Sequence, residues 1–250
     1  MPAPALPPQC QGTHSLWDPL PEVCLQTIDT DRPHQTDTPH VIPAGHTQVE
    51  SALAELALGG TLGAPPGERA AHVVLFADAY KFGVVSHVEG EVAFKHAEYV
   101  PASGRFAPPG PVSARVKWSF VEGGGWVPAL TFVPWVFVPV APSQSLRAGP
   151  LLFAGWELGE RLELEVNVGT LLSTRPKPPV ALVAASALTL TLVGTLRVFV
   201  DAYTTGEDAA LGTGALLALG RDVQVDAGTY VGLSGEEPVA TPFLGLSVRR

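Results

Sequence analysis

Charge is what this sequence has least of. Only 16% of its residues are Asp, Glu, Lys or Arg, where a water-soluble domain carries about 25%. Mean hydropathy is +0.23. So thin a supply of charge fits a chain whose outer surface is a broad apolar band. Basic runs are also missing and the net charge is −9. Binding to a phosphate backbone needs clustered Lys and Arg, so no nucleic-acid partner is expected. Phosphate loops and dinucleotide fingerprints are absent, and Gly123-Gly124-Gly125 reads as a turn between strands. Val180 to Leu196, apolar on both strand faces, falls short of the ~20 residues of a membrane-spanning helix. It is interrupted by Ser186, Thr189, Thr191 and Gly194 and is rich in β-branched residues, so it reads as two strands joined near Val193-Gly194.

Catalytic and metal-binding patterns are equally scarce. His72, His87 and His96 are the histidines of the strand-rich region, and no Ser-His-Asp spacing or nucleophile motif accompanies them. His14, His34, His40 and His46 lie in the first 46 residues without ligand spacing. The expectation is a non-enzyme with no cofactor and no metal. Two cysteines occur, Cys10 and Cys24. Joined in an oxidising compartment, they close a loop worth about 3 kcal/mol in the chain-entropy model; in a reducing one they remain thiols. Aromatic residues make up 8%, enough only for thin interfacial girdles, with Trp118, Trp126, Trp135, Trp156, Tyr80, Tyr99, Tyr203 and Tyr230 as candidates.

What the sequence does have, from Thr47 onward, is alternation. In Arg161 to Thr170, Glu163, Glu165 and Asn167 share one face, and Leu162, Leu164, Val166 and Val168 the other. Val112 to Phe120 places Arg115 and Lys117 on its polar side. Val88 to Phe94 sets Glu89 and Glu91 against Val88, Val92 and Phe94, and Gln224 and Asp226 oppose Val223 and Val225. Period two is the signature of half-buried strands. The pattern predicts twelve, near 47–58, 70–78, 86–97, 111–121, 126–139, 149–157, 160–172, 180–191, 193–204, 210–219, 222–233 and 239–249. Each strand with its turn averages about 17 residues, room for the 9–11 of a membrane-spanning β-strand. Residues 1–46, by contrast, are Pro-rich, polar and irregular.

A specific likeness begins in that irregular part. Asp31, Arg32, Pro33, Thr36, Pro39, Pro43, Gly45, Gln48 and Glu50 follow a D-R-P…T…P…P-x-G-x-x-Q-x-E spacing that runs into the first strand. It resembles the opening of a family of bacterial outer-membrane β-barrel, transporter-like proteins linked to a MetA pathway of phenol degradation. Tyr80-Lys81-Phe82-Gly83 with Val88-Glu89-Gly90-Glu91, Val112 to Phe120, Val223 to Leu233 and Phe243 to Arg249 extend it. The resemblance implies an all-β fold: an antiparallel up-and-down transmembrane β-barrel of about 12 strands, spanning residues 47–250. Residues 1–46 would form an arm that is periplasmic or plugs the lumen. It further implies a Gram-negative outer-membrane location, lipid as a partner, and transport of small hydrophobic or aromatic solutes. The opening Met1 to Pro8 shows neither the basic nor the apolar stretch of a secretory signal. Either that signal lies upstream of this start or the chain is not exported. A non-conducting binding or structural barrel, or a soluble β-sandwich, is the alternative.

In such a barrel the inward charges are Glu50, Glu89, Glu91, Arg115, Lys117, Glu157, Glu163, Glu165, Arg197, Asp201 and Asp226. If the strands near 86–97 and 111–121 pair, Glu89 and Glu91 face Arg115 and Lys117 across a rung. Their fields then cancel, bracing the wall rather than selecting ions. Glu163 and Glu165 have no equally near basic neighbour in sequence and are the better candidates to influence ions. Asp31, Arg32 and Pro33 admit two readings: a plug with Arg32 on a lumen carboxylate, or a local turn set by the ring of Pro33.

Overall fold

The computed structural model describes residues 7–33, 35–59, 71–101, 103–107, 110–142, 144–174, 180–206, 208–234 and 239–250. Its strands are β1 (Thr47–Ala57), β2 (His72–Val85), β3 (Val88–Val100), β4 (Arg105–Phe106), β5 (Val112–Val121), β6 (Ala129–Val138), β7 (Arg147–Glu157), β8 (Leu162–Ser173), β9 (Val180–Val193), β10 (Leu196–Thr205), β11 (Asp208–Ala218), β12 (Val223–Ser234) and β13 (Thr241–Arg249). Consecutive strands pair antiparallel, β3 pairs with β5 past the two-residue β4, and β1 pairs with β13. Twelve strands therefore close into a barrel, and closure leaves no long unpaired edge. The run from Val180 forms β9 and the start of β10, joined at Gly194 with φ +56°.

All twelve expected strands are present, and one boundary differs substantially: β2 continues to Val85 rather than stopping near 78. The cause is a local break in alternation. The ladder skips Leu53 and Phe76 between β1 and β2, and Phe76 and His96 between β2 and β3. Phe76 has φ +54°, rare for a bulky side chain. A period-two count stops at such a residue although the strand does not.

Polarity in this barrel is inverted relative to a water-soluble domain. Val116, Trp118 and Phe120 of β5, Leu182, Leu188, Leu190 and Leu192 of β9, and Leu244 and Val248 of β13 are exposed on the outer wall. Lys81, Glu89, Lys117, Asn167, Asp201, Gln224 and Asp226 are buried on the inside. Two apolar clusters share that interior: Phe199, Leu216, Tyr230 and Phe243, and Val133, Leu151 and Phe153. At one end of the barrel lie the start of β1, the end of β13 and the connections 86–87, 122–128, 158–161, 194–195 and 219–222. The end of β1, the start of β2 and the end of β3 lie at the opposite end.

Candidate functional site

The arm enters the barrel at the end that holds both termini of the strand sequence. There the Cys10–Cys24 disulfide closes a segment laid across the mouth. On one side His14 N donates to Ser86 Oγ at 2.7 Å and Leu16 N to Val84 O at 2.9 Å. On the other, Arg221 Nη1 donates to Glu22 O at 2.7 Å and Arg249 Nη2 to Gln26 O at 2.6 Å. Burial raises the Asp222 carboxyl, but hydrogen bonds from Arg249 and Arg221 outweigh it and hold the group below its ordinary range. The arm's return to β1 turns at Gly45, where φ is +79° and an added Cβ would lie 2.5 Å from Pro19 Cβ. Only glycine meets both demands.

Between Asp29 and Ile42 the arm lies inside the lumen, and the wall holds its backbone. Glu50 Oε1 and Oε2 accept from the N–H groups of Asp31 (3.2 Å) and Arg32 (3.1 Å). Asp201 accepts from Gln35 N at 2.8 Å, and Glu89 from Ile42 N at 2.8 Å. The Thr131 hydroxyl donates to Pro39 O, and that of Tyr230 to Pro33 O. Arg32, which precedes Pro33 through a cis peptide, reaches Asp226 at 3.3 Å and Glu55 at 3.9 Å. Buried arm N–H and C=O groups need partners, and polar wall residues supply them.

Asp31 is the centre of this arrangement. Its Oδ1 accepts from Lys117 Nζ at 2.6 Å and Thr38 N at 3.0 Å. Its Oδ2 accepts from Lys81 Nζ at 2.5 Å and Arg115 Nη2 at 2.8 Å. A carboxylate offers about four lone-pair sites, and all are used. Lys81 also binds Glu50 at 2.5 Å, while Arg115 binds Asp37 at 2.6 Å and Glu91 at 2.7 Å. Burial alone would raise the Asp31 carboxyl; Lys117, Lys81 and Arg115 outweigh it and hold the group well below the ordinary range. Asp31, Glu89 and Glu91 approach one another as metal ligands would. Three cations already occupy that carboxylate cluster.

The register sets Glu89 opposite Lys117 and Glu91 opposite Arg115. Yet the Lys117 ammonium turns to Asp31 and to the carbonyls of Thr38 and His40, so the rung serves the arm as well as the wall. Of the other inward candidates, Glu50, Asp201 and Asp226 touch the arm, as described. Glu163 is not without a basic partner: Arg197 crosses from β10 to reach it at 3.3 Å. The whole of β9 separates that pair in sequence, which is why spacing along the chain does not reveal it. The aromatic candidates divide. Tyr80 and Trp118 face outward, whereas Tyr230 is buried in the lumen and the Arg115 guanidinium lies 5.9 Å from the Trp135 ring. Asp37 and Glu55 are site residues the sequence reading misses, and Lys81 and Gln48 enter it only as parts of motifs. Lys81 lies beyond the break in pairing at Phe76, and the register shift at Leu53 against β13 reverses the inward parity so that Glu55 faces the lumen. His34 lies outside the described residues.

Cavities remain beside the arm, two of which bear on its surroundings. One, of about 680 Å³, lies toward the disulfide-bridged mouth; Asp29, His40, Gln48, Glu89, Glu157, Glu163, Glu165 and Arg197 line it. The other, of about 190 Å³, is bounded by Arg32, Gln35, Asp37, Glu55, Tyr230 and Phe243.

No family model matches this chain, and no curated protein sequence does. Among solved structures, the barrel is similar to an outer membrane channel from Pseudomonas putida F1. The likeness has a TM-score of 0.61 at 10% identity and covers 89% of this chain and 100% of that one. The KdgM porin aligns at a TM-score of 0.48 with 7% identity, over 81% of this chain and 98% of that one. At such identities the first likeness is one of fold.

Proposed function

We propose that this chain is an outer-membrane channel for small solutes whose lumen is closed at rest by its own N-terminal arm, residues 1–46. The observation that carries this reading is the arm's burial across the lumen, held by Asp31 among Lys81, Arg115 and Lys117. The apolar outer wall supports a bilayer as surrounding solvent, because strands cross a membrane with apolar residues outward and polar ones inward. Short connections at the end holding both termini support a periplasmic assignment for that end. Passage then requires the arm to shift, while the barrel wall stays put. No residue is assigned a catalytic role.

Hydrophobic or aromatic solutes are the proposed cargo. The motif likeness to the phenol-degradation family supports this, as do the inward clusters around Phe199, Tyr230 and Phe243 and around Val133, Leu151 and Phe153. The test is planar-bilayer conductance of refolded protein with and without residues 1–46. Current steps only after truncation are expected. Steps of equal size in both would remove the arm from the path of conduction. Silence from both, with β-structure intact by circular dichroism, would sink the channel reading and leave a binding or structural barrel.

A further inference from the structure

The larger cavity has features that closing the lumen does not require. Asp29 from the arm, Glu157 from β7, and Glu163 and Glu165 from β8 bring carboxylates to one chamber. Arg197 is the cation set among them, and it is committed to Glu163 at 3.3 Å and Gln224 at 3.4 Å. Lys81 and Lys117, at the inner end, are held by Asp31, and Arg249 by Asp222. The chamber therefore presents more carboxyl groups than cations in partly desolvated surroundings, where attraction between a carboxylate and a cation is stronger than in open water.

A second feature is independent of that charge. Glu89 and Gln48, each only 1% exposed, line the same chamber. Glu89 Oε1 and Gln48 Oε1 are buried acceptors without a hydrogen-bond partner, although the other polar atom of each side chain is engaged. A buried acceptor left unpaired costs free energy until a donor arrives. At about 680 Å³ the space exceeds what a bare ion needs and lies within the range of small-molecule pockets. Leu20, Ile28 and Ile42 of the arm supply an apolar side.

We propose that this chamber binds a small organic cation, with its ammonium N–H groups toward the carboxylates and orphan oxygens and its carbon body against the arm. The site is built jointly by arm and wall, and its occupancy can be measured whether or not the barrel conducts.

The test is calorimetric titration of the refolded, full-length protein in non-ionic detergent with three probes of one shape: benzylamine (cationic at neutral pH), benzyl alcohol and benzoate. Saturable binding of benzylamine is expected, with benzyl alcohol at least about tenfold weaker and benzoate weakest. The paired substitutions Glu163→Gln and Glu165→Gln should weaken benzylamine by at least about tenfold and leave benzyl alcohol unchanged. Should that variant not regain the heat-modifiable mobility of a folded barrel, Glu157→Gln serves instead, with a smaller loss of benzylamine alone. Equal affinity for the three probes, no saturable benzylamine binding, or equal losses of benzylamine and benzyl alcohol in a folded variant would each overturn the proposal.

Discussion

Replacing Asp31 with Asn removes one negative charge and almost no volume, so it tests the clamp without opening a hole. In the wild type both carboxylate oxygens are filled, and three cations converge on them at 2.5–2.8 Å. The amide cannot accept from all of them, and its NH₂ group would point donors at donors. Breaking a buried pair by removing one partner costs about 3–5 kcal/mol. Lys81 keeps Glu50, and Arg115 keeps Asp37 and Glu91, which places the expected cost near the lower end, about 3 kcal/mol. That shifts the balance between a seated and a displaced arm by roughly a hundredfold. Proteinase K cleavage between Asp29 and Ile42 in detergent reports the displaced arm, and heat-modifiable migration reports the barrel. The expected result is faster cleavage with an unchanged barrel, and openings in bilayers where the full-length wild type shows none. A second substitution, Lys117→Met, should then cost less in the Asp31→Asn background than alone, because contacting residues couple. Wild-type cleavage rates in Asp31→Asn, or strictly additive effects in the double variant, would refute the idea that Asp31 organises the arm.

Acid should act on the same carboxylate. Its folded-state value lies below the ordinary one of about 3.9, so its stabilising contribution is complete above that pH and is lost as pH falls further. The Asp31 contribution to arm protection from proteolysis should be lost as pH falls below about pH 4, checked with an acid-active protease. Val200 is 56% exposed on the outer wall at the middle of β10. Val200→Arg should cost about 2–4 kcal/mol in lipid vesicles, read by denaturant unfolding; no loss there would count against the membrane reading. Changing both Cys10 and Cys24 to Ser should lower the stability of the mouth segment by about 3 kcal/mol, seen as earlier proteolysis between Gln11 and Val23 with the barrel unaffected. If the barrel itself melted, the segment would be part of its core rather than a strap across its mouth.

The wall of this protein is written plainly in its sequence, because a barrel strand solvates its two faces differently and alternation records that. Glu163, Glu165 and Asn167 show it clearly, and so do Arg115 and Lys117. Alternation fails wherever the backbone departs from a regular pleat. Phe76 interrupts β2 and hides Lys81; the register shift at Leu53 reverses parity and hides Glu55. The arm is harder still, since nothing periodic governs it. Asp31 and Arg32 stand out through a motif, yet their partners lie on β1, β2, β5 and β12, and only closure of the barrel brings those strands round them. The Glu163–Arg197 pair has the same origin. Spacing along the chain carries local geometry, and a closed barrel makes neighbours of residues that are distant in sequence.

The arm precedes every strand of the wall in sequence, and its partners are spread far along the chain. The three cations of Asp31 lie 50, 84 and 86 positions downstream of it, and Asp226, the partner of Arg32, lies 194 positions downstream. Contacts so remote carry a loop-closure cost that local structure does not share. A barrel assembled strand by strand can give Asp31 Lys81 early, but Arg115 and Lys117 only once β5 is in place. The last strand meets the first at the end where the arm enters, with Thr47 and Arg250 exchanging backbone hydrogen bonds at the seam. The full set of partners for Asp31 and Arg32 thus exists only in a completed ring, and an arm that enters and returns at the end holding this seam can be seated or withdrawn through that mouth without opening the wall.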